Sequence, residues 1–134
     1  MSLGLKAKLL TIIPKLVMLG LTRFNEFLEE FPDAKTRSTV LILRDDRGGR
    51  MAIYIGFQGD RPVVREVDPR SPPRATTEIE MHVDTFIAVL KRRLDFRTAY
   101  IHDLVDVRSN DGLPPTYHLI LWSAFMDKAL EVLG

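Results

Sequence analysis

Apolar residues recur at helical spacing in the N-terminal part of the chain. Between Phe24 and Phe31 the apolar side chains occupy the first, fourth, fifth and eighth positions, and glutamates fall elsewhere. Pro14 interrupts the same pattern earlier, and proline fits the first turn of a helix better than its interior. The pattern therefore predicts two helices within residues 5–31, which join near Ile13.

Extended patterns dominate the middle of the chain. Residues 38–44 are apolar and β-branched, a turn sequence rich in Asp and Gly follows, and residues 51–57 carry apolar side chains on both faces. Further strands are predicted at 63–67, at 76–83, where apolar and polar residues alternate, and at 105–109. The strand at 51–57 is expected to be covered on both faces or to line a cavity.

Helical segments are predicted around the last two strands. Asp84 and Asp95 stand where N-capping residues precede helices, the second of which covers residues 96–102. A turn at residues 110–112 leads to Pro114-Pro115, which favours the start of a helix that runs to about residue 133. The predicted fold class is α+β.

The chain is expected to form one domain. Its 134 residues match the size of an ordinary single domain with one core. Residues 1–21 are predicted to be an N-terminal helical extension, and residues 22–134 the core. No second hydrophobic unit of comparable size is visible in the sequence.

The predicted terminal helix is apolar around most of its circumference. Only Ser123, Asp127 and Glu131 leave a narrow polar line along it. A surface helix needs one apolar stripe. This helix is therefore buried on several sides, lies against an apolar ligand cavity, or presents its spare face to a partner; ordinary packing is the simplest of these explanations.

Charge and composition narrow the function classes. Lys and Arg number 19 against 18 Asp and Glu, a net charge of +1, so no overall field attracts nucleic acid, and no nucleic-acid partner is expected. Cysteine is absent, which removes disulfides and thiolate chemistry and is compatible with a cytoplasmic location, the expected compartment. No apolar run reaches the roughly 18 residues of a membrane span.

No catalytic or metal-binding motif is found in the sequence. The three histidines lie on separate predicted elements without metal-ligand spacing, so neither a metal site nor a cofactor is expected. Ser109 with His102 and Asp103 or Asp106 has the composition of a catalytic triad, yet no nucleophile elbow or glycine-rich oxyanion segment accompanies it. We interpret these side chains as solvated and predict a protein that is not an enzyme.

Three lysines, Lys6, Lys8 and Lys15, lie among leucines and isoleucines before the first acidic residue. This combination suits transient contact with an anionic membrane surface. The alternative is a helix packed on its own domain, or on a twin subunit in a homodimer, with the lysines extended into solvent.

One stretch of the chain, Ala75 to Ser109, carries a recognisable pattern. A strand with alternating apolar residues enters a helix of the form D-x-F/L-x-x-L, and a leucine-aspartate turn, an alanine-aromatic helix and a strand follow. The residues that carry this pattern are Asp84, Phe86, Val89-Leu90, Leu94-Asp95, Ala99-Tyr100 and Leu104 to Val107. The order resembles the sterol carrier protein type 2 family, and the likeness extends over roughly residues 22–133. That family usually has glycine before the leucine-aspartate turn and before the last strand, where this sequence has Arg92 and Asp103.

The resemblance implies a five-stranded, mostly antiparallel sheet whose helices cover a hydrophobic tunnel. The implied function is non-enzymatic binding or transfer of a lipid or other apolar ligand: a fatty acyl chain, a sterol or an isoprenoid. The alternative is an interaction module without bound lipid, which forms a homodimer or docks an enzyme subunit. The resemblance and the wide apolar face together give a candidate cavity wall, which consists of Phe86, Ile87, Leu90, Tyr100, Leu104, Ile120, Leu121, Trp122, Phe125 and Met126.

Overall fold

A computed structural model describes residues 1–133 and contains five α-helices and five strands. The helices are α1 (Leu3–Leu21), α2 (Phe24–Glu30), α3 (Val83–Leu90), α4 (Phe96–Ile101) and α5 (Pro115–Leu133). A short 3₁₀ turn at Ala34–Thr36 connects α2 to the sheet. The strands are β1 (Thr39–Arg44), β2 (Arg50–Gln58), β3 (Arg61–Val67), β4 (Thr77–His82) and β5 (Val105–Ser109).

The strands form a single sheet in the order β3-β2-β1-β4-β5. Three of the four neighbouring pairs are antiparallel. The remaining pair, the central strand β1 with β4, is parallel. The parallel pair is connected through β2 and β3, which form a meander on the other side of β1. The predicted α+β class and the mostly antiparallel five-stranded sheet are confirmed.

The register of the sheet aligns apolar side chains into rows on the face that the helices cover. Ile53 lies opposite Leu41, Leu41 opposite Ile79, and Ile79 opposite Val107, so one row crosses four strands. All four side chains are buried in the main core cluster together with residues of all five helices. The opposite face of the sheet carries a smaller cluster, which consists of Val40, Ile42, Ala52 and Ala75.

Helix α5 is buried along much of its length because it packs against α1, α4 and β5. Its buried side chains include Leu119, Phe125, Ala129 and Leu130, which belong to the same core cluster as the buried residues of α1. Burial on several sides accounts for the apolar circumference of this helix. Although α1 and α5 each have 19 residues, none of the helices within residues 1–133 combines the length and apolar character needed to cross a membrane.

The predicted break near Ile13 is wrong, because α1 continues through Pro14 to Leu21. Proline inside a helix removes one backbone hydrogen bond and costs about 3 kcal/mol. Buried side chains lie on both sides of it, Leu9 and Ile13 before and Leu16 and Val17 after. Their burial offsets this cost, since each fully buried aliphatic side chain contributes about 1.5–3 kcal/mol. The chain turns instead between α1 and α2, at residues 22–23.

The predicted cap of α3 is also wrong by two residues. The Nδ1 atom of His82 accepts a hydrogen bond from the backbone N–H of Asp84 at 3.0 Å, so His82 caps the helix. For α4 the prediction is confirmed, because Asp95 accepts from the backbone N–H of Thr98 at 2.9 Å.

Candidate functional site

The interior between the sheet and the helices contains a small apolar space, here called the sheet void. Its volume is about 30 Å³, and its walls come from α1, the strands β1, β2 and β4, and the helices α3, α4 and α5. Charged side chains are absent from the described residues that line it, and its one polar side chain is Thr39. The walls consist of Ile13, Leu16, Val17, Thr39, Leu41, Ile55, Ile79, Phe86, Phe96, Trp122, Phe125 and Met126.

A second space, here called the corner void, lies where α2 meets the sheet. It has a volume of about 60 Å³ and is lined mainly by aromatic and aliphatic side chains, with Arg37 as the one charged residue among those described. Phe24, Phe27 and Phe57 belong to its wall, and Phe24 stacks on Phe57 with ring centroids 5.4 Å apart. Five residues line both voids: Val17, Thr39, Ile55, Trp122 and Phe125. The two voids are therefore neighbours.

Trp122 and Phe125 form the shared wall on α5. Their rings pack edge to face with centroids 5.8 Å apart, and Phe125 makes a similar contact with Phe27 at 5.4 Å. The indole N–H of Trp122 donates to the hydroxyl of Thr39 at 2.9 Å. That bond satisfies the polar end of a tryptophan whose remaining surface faces an apolar space.

The predicted wall residues fall into three groups in the structure. Phe86, Trp122, Phe125 and Met126 line the sheet void, and Leu121 lines the corner void together with Trp122 and Phe125. Ile87 and Leu90 line a groove on the outside of the helical layer.

The remaining three predicted wall residues lie away from both voids. Ile120 and Leu104 are 50% and 43% exposed, and Tyr100 packs at the edge of the core beside β5. Ile13, Leu16 and Val17 of α1 line the sheet void although the sequence analysis did not include them. Their apolar character at helical spacing is the signal that the sequence offers, but the sequence pattern assigns residues 1–21 to an N-terminal extension.

The outer groove, here called the lysine groove, runs between α1, α3 and α5. Its volume is about 470 Å³. Most of its lining is aliphatic, and Lys8, Lys15 and Lys91 stand along it. Its full lining consists of Leu5, Lys8, Leu9, Ile12, Lys15, Leu16, Leu19, Ile87, Leu90, Lys91, Leu130 and Leu133.

A buried polar network surrounds His118 at the start of α5. The imidazole is 1% exposed; its Nδ1 lies 2.7 Å from the Thr77 hydroxyl, and its Nε2 lies 3.0 Å from an Asp111 carboxylate oxygen and 3.1 Å from the Ser109 hydroxyl. A carboxylate only accepts hydrogen bonds, so Nε2 donates to Asp111. The network ties β4, β5 and the following turn to α5.

Asp111 is the centre of this network and also pairs with Arg37. Burial alone would raise the pKa of Asp111, but hydrogen bonds from the Ser109 hydroxyl, the Leu113 amide, Arg37 and His118 together hold that pKa well below its usual range. His102, Asp103 and Asp106 are exposed, which agrees with their interpretation as solvated side chains, and the histidine that contacts Ser109 is His118.

One cluster of metal-ligating residue types lies at the N-terminus of α3. Ligand atoms of Asp46, His82 and Asp84 lie within 4.8 Å of one another. Both ring nitrogens of His82 already have partners, Nδ1 the Asp84 amide and Nε2 an Asp46 oxygen at 2.8 Å. The absence of a metal site stays a prediction.

Solved structures of other proteins match most of this chain in fold. Sterol carrier protein 2 from Yarrowia lipolytica in its apo form has a TM-score of 0.60 and 13% identity, and the match covers 86% of this chain and 87% of that one. The sterol carrier protein domain 2 of Helicoverpa armigera has a TM-score of 0.58 and 11% identity over 90% and 88% of the two chains. The chain has the sterol carrier protein 2 fold. A palmitated sterol carrier protein 2-like protein from Aedes aegypti also matches, with a TM-score of 0.53 and 10% identity over 81% and 93%.

Comparisons of the sequence alone find no relative of this chain. No family model matches the sequence, and no curated protein matches it. The identities of 10–13% to the structures above show that the sterol carrier protein 2 fold is shared, and they leave the ligand to be argued from the site.

The backbone conformation at two positions agrees with the resemblance to the sterol carrier protein 2 pattern. Among residues 1–133, Arg92 and Asp103 are the non-glycine residues with positive φ, at 59° and 58°. They occupy the two positions where the sequence pattern usually has glycine, a residue that adopts this conformation without steric cost. The turns before the leucine-aspartate pair and before β5 thus keep their left-handed conformation without glycine.

Proposed function

We propose that this chain binds and transfers a lipid or other apolar ligand in the interior between its sheet and the α1–α5 layer, without catalysing a reaction on it. The observation that carries the proposal is the pair of adjoining voids, whose shared wall is Trp122 and Phe125 and whose lining is almost entirely apolar. Apolar lining with few polar groups is typical of small-molecule sites. The fold shared with sterol carrier proteins, one of them solved as a palmitated protein, adds support.

Ligand entry requires the interior to open. Ligand sites usually measure about 300–1,000 Å³, whereas the two voids measure about 30 and 60 Å³. Because Ile13, Leu16 and Val17 of α1 form one wall, displacement of α1 is the direct way to enlarge this space. The turn at residues 22–23 would be the hinge, and the ion pair of Arg23 with Glu131 would anchor this hinge to α5.

Fluorescence of Trp122 tests the proposal, because it is the chain's single tryptophan and lines both voids. We expect palmitate, cholesterol or farnesol to change its emission saturably, and a short-chain acid such as butyrate to leave it unchanged. Leu121→Ala and Ile120→Ala provide a matched pair on α5, since Leu121 lines the corner void and Ile120 is 50% exposed. Only Leu121→Ala should alter the affinity. A folded protein whose emission ignores all three long ligands contradicts the proposal.

An interaction module is the second candidate function. Exposed apolar side chains at the two ends of α1, Leu3 at 85% and Met18 at 57%, favour it, since a partner chain would remove them from solvent. A homodimer or a complex with an enzyme subunit would cover them. Sedimentation of the purified protein at increasing concentration tests the homodimer: a dimer that Met18→Glu dissociates would favour this function, and a monomer throughout would count against it.

Transient membrane contact through Lys6, Lys8 and Lys15 fits a carrier that loads from a bilayer in the cytoplasm. The three lysines make no salt bridge with any residue in the described range 1–133. Each basic residue near an anionic bilayer contributes about 1 kcal/mol of binding free energy. Sedimentation with phosphatidylserine vesicles should therefore remove the protein from solution, neutral vesicles should not, and equal binding to both would contradict the electrostatic contact.

A further inference from the structure

The lysine groove is a concave apolar channel outside the interior voids. On α1 its lining residues repeat at helical spacing: Leu5, Leu9, Ile12, Leu16 and Leu19 lie along one face of the helix. Ile87 and Leu90 of α3 and two leucines of α5 form the other walls. Its volume of about 470 Å³ lies within the range of about 300–1,000 Å³ that holds small molecules.

The charges along the groove have one sign. Lys8, Lys15 and Lys91 line it, and acidic side chains are absent from its lining within residues 1–133. None of the three lysines forms a salt bridge with another described residue, whereas most arginines of the sheet and of the His118 region do. An apolar channel with unpaired cations at its rim is complementary to a molecule that has a long apolar chain and one anionic head.

The length of the groove favours a molecule with a long apolar chain. From Leu5 to Leu19 the helix rises about 21 Å at 1.5 Å per residue, which is close to the extended length of a long-chain fatty acid. A channel between three helices accommodates a single chain, while a bilayer presents a broad surface. We propose that the lysine groove binds a free long-chain fatty acid as its carboxylate, with the chain along the aliphatic lining of α1 and the carboxylate at one of the rim lysines. This site goes beyond the proposed interior site and does not depend on it.

Paramagnetic broadening of amide signals locates the ligand directly. The experiment adds stearate with a nitroxide near its methyl end, and in a second sample near its carboxylate, to the ¹⁵N-labelled protein. We expect the amides of Ile12, Ile87 and Leu130 to broaden before those of Leu41 and Ile79 on the sheet. If the sheet amides broaden and the groove amides do not, this inference is overturned while the interior site stands. If only the groove amides broaden, the inference stands and the interior proposal fails.

Matched variants test the charge and the apolar lining separately. Reversing two rim charges, Lys8→Glu with Lys15→Glu, should weaken stearate binding about tenfold and leave the affinity for stearyl alcohol unchanged. The same reversal at Lys6 and Lys128, which lie outside the groove lining, is the control for overall charge. Equal losses for the two double variants would overturn the assignment of the carboxylate to this rim.

The apolar test compares two exposed residues of α1. Ile12 lines the groove and is 38% exposed, and Met18 lies outside it and is 57% exposed, so neither supports the core. Ile12→Asp should weaken stearate binding about fivefold or more, and Met18→Asp should leave it unchanged. If Ile12→Asp instead dissociates a dimer and binds stearate like the parent protein, the groove is an interface between copies of the chain and the inference is wrong.

Discussion

Phe125 separates the two interior voids, so its removal should both destabilise the protein and improve ligand binding. The ring is 8% exposed, lines both voids and contacts Phe27 and Trp122 edge to face. It also lies so close to Gly20 that a Cβ atom there would come within 2.4 Å of the ring. Phe125→Ala therefore removes contacts on three sides and leaves a cavity that joins the two voids.

The expected cost of Phe125→Ala follows from measured core truncations, which lower the free energy of unfolding by about 3–5 kcal/mol. A domain of ordinary stability has about 5–15 kcal/mol in total, so Phe125→Leu is the gentler second variant. Because the merged cavity already provides part of the space that a ligand needs, palmitate should bind both variants more tightly. Palmitate at 100 times its Kd should return about 2.7 kcal/mol of stability.

Urea denaturation with and without palmitate measures both effects. Ile101→Ala serves as the control, because Ile101 is 75% exposed and lines neither void. We expect the palmitate-dependent shift of the midpoint to be larger for the two Phe125 variants than for the parent protein, and unchanged for the control. A folded Phe125→Ala protein that loses less than about 1 kcal/mol of unfolding free energy, or that palmitate stabilises less than the parent, would show that Phe125 does not separate the two voids.

Three further predictions concern packing, pH and backbone conformation. Gly20→Ala should lower the free energy of unfolding by about 1–3 kcal/mol, since the new methyl group meets the Phe125 ring; an unchanged thermal midpoint would contradict this contact. The pKa of Asp111 is lowered by folding, so its contribution to stability is complete above the unfolded-state value of about 3.9 and is lost as the pH falls toward the lower folded value. Asp111→Asn should therefore reduce the urea midpoint at neutral pH, with a gap that narrows below about pH 4; a constant gap across acid titration would contradict the network. Arg92 has φ of 59° and donates a hydrogen bond to the Leu130 carbonyl, so Arg92→Gly should be about 1 kcal/mol more stable than Arg92→Ala, a difference that disappears if the turn is not left-handed.

Much of the sheet could be predicted from local patterns, because half-buried strands alternate in a way that the sequence displays directly. Thr77, Ile79 and Met81 point inward and Glu78 and Glu80 outward, as the alternation predicted. The path of α1 could not be predicted in this way. Whether a helix continues through Pro14 depends on how much apolar surface is buried on both sides of it, and that burial is created by α5 and the sheet.

The cavity wall was predictable only in part, and α5 shows why. Ile120 and Leu121 are adjacent and equally apolar, yet one is 50% exposed and the other 9%. On a helix that is apolar nearly all round, hydropathy carries no information about which side faces the interior. Ile13 and Leu16 are absent from the predicted wall because the sequence pattern assigns residues 1–21 to an N-terminal extension.

The network around His118 could not be predicted from spacing. Thr77, Ser109 and Asp111 reach the imidazole from β4, β5 and the turn before α5, and only the register of the sheet brings them together. By contrast, the left-handed turns at Arg92 and Asp103 fall where the family pattern has glycine. The resemblance to that family draws attention to these two positions. Residue preferences alone disfavour the left-handed conformation for arginine.

Native mass spectrometry of the purified protein, followed by denaturing extraction and lipid analysis, shows whether the interior holds an apolar ligand. We expect acyl chains, sterols or isoprenoids in near-stoichiometric amount, or a protein that takes up one long-chain ligand when it is offered. A mass equal to that of the bare chain, which stays unchanged when palmitate, cholesterol and farnesol are added, would contradict the claim that this interior holds an apolar ligand.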